Sequence, residues 1–152
     1  PHVVECLFGA GEKRYAKTWT FSVDREALES FPRRNPDSDG AVDLLNRLRG
    51  RSGISPVVFD PALSVGATDH ARYLDRHDLD THFQTPGRRG FTGVSHADRA
   101  MAYGVERDLW ELVAPAARSP REAVASLWDG PYRRIPLLQP GVGAIGIGTA
   151  GP

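Results

Sequence analysis

At 152 residues the chain has the length of one domain with a real core and room for a small appendage. Its 19 basic and 19 acidic side chains cancel to a formal net charge of zero, which excludes a global basic field for nucleic acid and a global acidic one for cationic partners. One cysteine, Cys6, excludes an internal disulfide framework, and no apolar run is long enough to span a membrane.

Pro1 comes first with no Met or signal peptide, so a processed or trimmed product is expected, and cysteine use does not reveal the compartment. Residues 1–23 read as two strands around a turn at Gly9-Ala10-Gly11. In the second run Tyr15, Lys17, Trp19, Phe21 and Val23 share one face, while Ala16, Thr18, Thr20 and Ser22 share the other. A lone hairpin is marginal in water, so its aromatic face must lie on something. Two placements stay open: on the main core, or as the last hairpin of a β-sandwich module. Residues 24–40, rich in Asp, Arg, Pro and Ser, read as a linker.

The main domain, residues 41–152, opens at about Asp39. Ala41, Leu44, Leu45 and Leu48 keep helical spacing, with Gly50 and Gly53 as the stop. Asp60-Pro61 is an N-cap with proline at the first helical position, and the helix behind it lines up Leu63, Ala67, His70, Ala71 and Leu74. Ser95 and Asp98 form a capping box for a helix ending at Gly104. Leu109 to Val113 reads as a short apolar strand interrupted by Glu111. Ser119-Pro120-Arg121-Glu122 opens another capped helix through Val124, Leu127 and Trp128.

The closing stretch, Trp128 to Ile147, carries the most information. Gly130-Pro131 stops the helix, since proline lacks the amide hydrogen and restricts the residue before it. Pro136 and Pro140 then bracket Leu137 and Leu138 on a stiff, non-helical corner bearing Tyr132, Arg133 and Arg134. Beyond it Ile145 and Ile147 share one strand face, while Ala144, Gly146 and Gly148 leave the other nearly bare, which lets another element approach closely. Helices alternating with strands in this order predict an α/β/α sandwich with an N-terminal β-hairpin appendage.

Taken in order, Leu45-Asn46-Arg47-Leu48-Arg49, Phe59-Asp60-Pro61-Ala62-Leu63, His70-Ala71-Arg72-Tyr73-Leu74, Thr81-His82-Phe83, Glu111-Leu112-Val113 and the closing stretch resemble the CAP superfamily. This is the group of cysteine-rich secretory, antigen 5 and pathogenesis-related proteins, here in its bacterial SCP-like form. The resemblance covers roughly residues 41–149 and implies a CAP-like sandwich in an extracellular or cell-envelope setting. It also implies a cleft lined by two histidines and two glutamates, which binds a divalent metal in some members. His82 stands at the first histidine and Glu111 at the first glutamate. Arg133 replaces the second histidine, and Pro131 occupies the neighbourhood of the second glutamate.

Glu111 is the sharpest residue on independent grounds. A carboxylate between Trp110 and Leu112 is costly unless it is paired or hydrogen-bonded. Arg133 is the expected partner, because guanidinium stays charged and forks onto carboxylate oxygens. The pair reads first as a buried brace for the Pro131 corner and second as part of a catalytic arrangement. His70 reads as a hydrogen-bonded interior histidine, and His77 and His96 as exposed. A metal needs three or four convergent ligands and two are in sight, so neither metal nor cofactor is expected. Serine-nucleophile and phosphate-loop motifs are absent. The expected role is a binding module with a degenerate His/Glu cleft lined by His82, Glu111, Tyr132, Arg133 and Arg134. Its ligand would be a small molecule, a lipid or a cell-envelope component, not nucleic acid, with adjacent domains of a longer chain as further partners. Two alternatives stand beside it: a hydrolase using Glu111 and His82, and a structural spacer in a larger surface protein.

Overall fold

The computed structural model describes residues 2–10, 13–21, 36–105 and 108–150. The chain divides into two compact units, Pro1–Phe31 and Pro32–Pro152. In the first, β1 (His2–Ala10) pairs antiparallel with β2 (Lys13–Phe21) in a register running from His2↔Phe21 to Ala10↔Lys13. The ladder thus takes in Gly9 and Ala10, two of the three residues expected in the turn. Val23 and most of the expected linker lie outside the described residues.

The second unit opens with α1 (Pro36–Arg51), so residues 36–40 are helical rather than linker. Proline fits the first turn because its missing N–H has no partner there anyway, and Asp37 and Asp39 sit at the positive end of the helix dipole. The expected spacing buries Ala41 and Leu45, and Gly53 closes the helix at a left-handed φ of 72°. Ala41 and Leu45 pack with Val57, with Val124 and Leu127 of α4 (Pro120–Asp129), and with Leu137. Trp128 is only half-buried against this cluster, less than a central core aromatic would be.

β3 (Val58–Phe59) runs parallel to β4 (Ala144–Ile145), with Val58 N donating to Gly143 O at 3.0 Å and Asp60 N to Ile145 O at 2.8 Å. The Asp60 side chain then caps α2 (Pro61–His77) by accepting from Leu63 N at 3.1 Å. Helix α2 lies hard against the bare side of the Gly-rich stretch. A β-carbon placed on Gly146 would fall 2.4 Å from Leu63 Cβ, and one on Gly148 2.1 Å from the carbonyl carbon of Ala67. Nothing larger than hydrogen fits at either position. Ile145 and Ile147, on the alternate positions, join the core formed by α1 and α4.

Three local readings need correction. Leu109 to Val113 has no strand partner among the described residues and runs as irregular chain, with Glu111 drawn to side-chain partners instead of a ladder. The Tyr132–Leu138 corner contains a one-turn helix, α5 (Arg134–Leu137). Pro136 is compatible with it because amides of a first turn lack intrahelical acceptors. Finally, the arginine that secures this corner is Arg49 of α1. Fully buried, it donates to Leu137 O at 2.6 Å, Val142 O at 3.0 Å and Ser55 O at 2.8 Å, and burial holds its pKa below the usual value.

Candidate functional site

Glu111 anchors the site. Its side chain is 16% exposed, and Oε2 accepts from Arg99 Nη2 at 2.5 Å while Oε1 lies 3.0 Å from His82 Nδ1. Arg99 belongs to α3 (His96–Met101), whose N-cap is the expected capping box: Ser95 Oγ accepts from Asp98 N, and the Asp98 carboxylate accepts from Ser95 N. The box starts the helix so that its fourth residue points inward. Arg99 is 2% exposed, and it also donates to the carbonyls of Gly93 and His82 at 3.3 Å. Gly93 makes room for it, since a β-carbon there would lie 2.8 Å from Arg99 N.

The two histidines beside Glu111 have opposite settings. His82 is half exposed, at 50% for its side chain. A carboxylate only accepts, so Nδ1 carries a proton, and in the neutral ring Nε2 is left as an acceptor. His70, on α2, is buried: Nε2 donates to Thr81 O at 3.0 Å, and Nδ1 accepts from Gln84 Nε2 at 3.2 Å. Buried Gln84 in turn accepts from Thr92 N at 2.8 Å. Desolvation lowers the His70 pKa, outweighing the pull of Glu111 3.6 Å away, and Arg99 and His82 push the same way as burial. His70 is therefore a neutral, satisfied interior histidine, as its place on the helical stripe predicts.

Outside this network lies an open hollow of about 660 Å³, bounded by His82, Phe83, His96, Asp108, Trp110 and Glu111. Phe83 and Trp110 are 61% and 63% exposed. His96, expected on the surface, is half-buried and turns Nε2 to Leu109 O at 3.2 Å. His77 is half-buried too, with Nε2 donating to Arg89 O and its ring 4.5 Å from that of Tyr73. The structure brings His82 and Glu111 together but not the remaining expected lining. Tyr132 and Arg133 are exposed on the α5 corner and do not border the hollow. Arg134 reaches Asp129 O at 3.3 Å, and its Nε is buried without a partner. The expected Glu111–Arg133 brace is instead a Glu111–Arg99 brace. Among the described residues, no group of His, Cys, Asp and Glu gathers to hold a metal ion.

Arg99, Phe83 and Trp110 are the residues that sequence reasoning missed. An arginine in a short capped helix ordinarily reads as solvated. The available signal was its setting, with Ala97 and Ala100 alongside and Gly93 upstream: small neighbours that leave room for a large side chain to turn inward.

A family model described as the cysteine-rich secretory protein family, CAP, matches residues 42–151. In a comparison of folds, the chain resembles the crystal structure of an extracellular protein containing an SCP domain from Bacillus anthracis str. Ames, with a TM-score of 0.64 and 16% identity. The match takes in 95% of this chain and 63% of that one, so the chain spans less than two thirds of its structural relative. A comparison with curated proteins gives no match.

Proposed function

Because the chain belongs to the CAP family, we propose that its second unit is an extracellular or envelope-associated binding module, of the bacterial SCP-like form, that takes its ligand in the hollow beside His82. The hairpin and residues 24–35 serve in this reading as an appended β module and its connection. The main domain is an α/β/α sandwich: α2 on the bare side of the Gly-rich stretch and α1 with α4 on the isoleucine side support that layering. The observation that carries the binding role is the closed pairing of Glu111 with Arg99. A general base must be free to take a proton, whereas this carboxylate is held by a permanent cation. A preformed hollow with exposed aromatic walls and few polar groups fits a binding site.

The test is a panel of neutral, anionic and cationic small fragments, followed by amide NMR on the full chain. Shifts gathering at His82, Phe83 and Trp110 without chemical turnover are expected. Shifts scattered over the surface, or none, would overturn the reading.

The 3.0 Å contact of His82 with Glu111 favours one second reading, a hydrolase with the roles reversed from expectation. His82 Nε2 would be the base and Glu111 the group that fixes its ring. Hydrolysis of p-nitrophenyl acetate that disappears in His82→Ala would support it, and the absence of such hydrolysis would set it aside.

A further inference from the structure

The chemistry of the hollow is one-sided. His82 Nδ1 is committed to Glu111 and His96 Nε2 to Leu109 O, so in the neutral rings His82 Nε2 and His96 Nδ1 are left as acceptors. Asp108 and Glu111 contribute carboxylates, which only accept. Among the described lining residues, no side-chain donor apart from the Trp110 indole N–H is free for a ligand. The charge is one-sided too. Arg99 offsets Glu111 from behind, while exposed Asp108 has no ion pair among the described residues. Among the described residues, the lining of the hollow thus carries negative charge although the whole chain is neutral. Two exposed aromatic side chains, Phe83 and Trp110, complete the walls, and a ring face attracts a cation through its quadrupole.

From these features we propose that the hollow binds a primary alkylammonium group. Such a group has donors and no acceptors, a positive charge, and an aliphatic stem that aromatic walls shelter. An anion would meet the Asp108 carboxylate, with the Trp110 indole N–H as its one side-chain donor among the described lining residues. The same chemistry is presented by a small free amine and by a lysine side chain of a peptide. The proposal rests on the binding reading above and names its ligand class.

The experiment is an amide NMR titration of the full chain with n-butylammonium, with 1-butanol as the neutral match of equal chain length. Saturable shifts at Phe83, Asp108 and Trp110 are expected, with butanol weaker by about tenfold, the loss of roughly 1.4 kcal/mol of charge and ring interaction. Asp108→Asn and Trp110→Ala should each weaken the amine several-fold. Both positions are exposed, so neither change threatens folding. A second titration uses an acetyl-capped glycine peptide with one lysine. Tighter binding than n-butylammonium assigns a peptide-borne source, and weaker binding assigns a free amine. Equal binding of amine and alcohol would overturn the ammonium while leaving the binding module intact, as would neutral or anionic fragments filling a hollow that the amine does not enter. If no probe enters it, both readings fall.

Discussion

Arg99 and Arg133 lie on either side of the site's defining carboxylate in sequence, and their surroundings differ completely. Arg99 is 2% exposed and forks between Glu111 and the carbonyls of Gly93 and His82. Arg133 stands exposed at the start of α5 and makes no side-chain capping bond there. Both carry a permanent charge, so charge alone did not decide which would find Glu111. Space did. Arg99 sits on a short helix whose start is fixed by a capping box and whose neighbours are small, whereas Arg133 follows a proline corner that turns its side chain to water.

The largest expected effect comes from breaking the buried member of this comparison. Arg99→Met leaves Glu111 partly buried without its cation, and should cost about 3–5 kcal/mol in urea unfolding. Glu111→Gln should also destabilise, and the double variant should recover part of the sum. Additive losses in that cycle would mean that the two groups do not interact, and the contrast with Arg133 would collapse.

Arg49 sharpens the comparison from another side, being buried with carbonyl partners rather than a carboxylate. Arg49→Met should cost about 2–3 kcal/mol, the scale of a hydrogen bond to a charged group plus stranded acceptors. The loss should persist in high salt, because no surface ion pair is being screened. A variant as stable as the parent would show that the α5 corner holds without this arginine.

His70 supplies a smaller, pH-dependent effect from the same network. Its folded pKa lies below the ordinary value of about 6.5, so above that pH it is neutral in both states. As pH falls below about 6.5 the unfolded chain binds a proton that the folded chain refuses, and stability declines until the folded pKa is passed. Urea midpoints taken between pH 7.5 and pH 5 should fall, and more steeply in the parent than in His70→Gln. Asp98, whose carboxylate is held low chiefly by Ser95 N–H, acts in a more acidic window. Equal slopes in parent and variant would remove His70 from the interior network.

The helices were legible because each carries its own local signals. Asp60-Pro61, Ser95 with Asp98, and Ser119-Pro120 mark starts whose side-chain caps form as the spacing predicts. Gly146 and Gly148 announced a close approach, which α2 makes. Less legible were features that depend on what comes from elsewhere in the chain. Whether Leu109 to Val113 becomes a strand depends on a neighbouring edge, and Val58–Phe59 becomes one only through Ala144–Ile145. His82 and Glu111 were found singly, one by family position and one by the cost of its charge, and they do meet. Their arginine was misassigned because burial of a long cation depends on room that three-dimensional packing provides.

The smallest expected effect is the one that most directly tests why Glu111 chose as it did. If Arg133 is a solvated residue of the corner, Arg133→Met should shift stability by no more than about 0.5 kcal/mol, the usual range for surface substitutions. It should also leave the His82–Glu111 contact and the hollow unaltered, since Arg133 borders neither. A Glu111→Gln, Arg133→Met cycle should then close with no coupling, in contrast to the cycle with Arg99. The NMR signal of the His82 ring is a sensitive second readout, because any charge reaching Glu111 would change the partner of Nδ1. A loss above 2 kcal/mol on Arg133→Met, or a moved His82 signal, would bring Arg133 back into the cleft and return the brace to the residue the sequence first named.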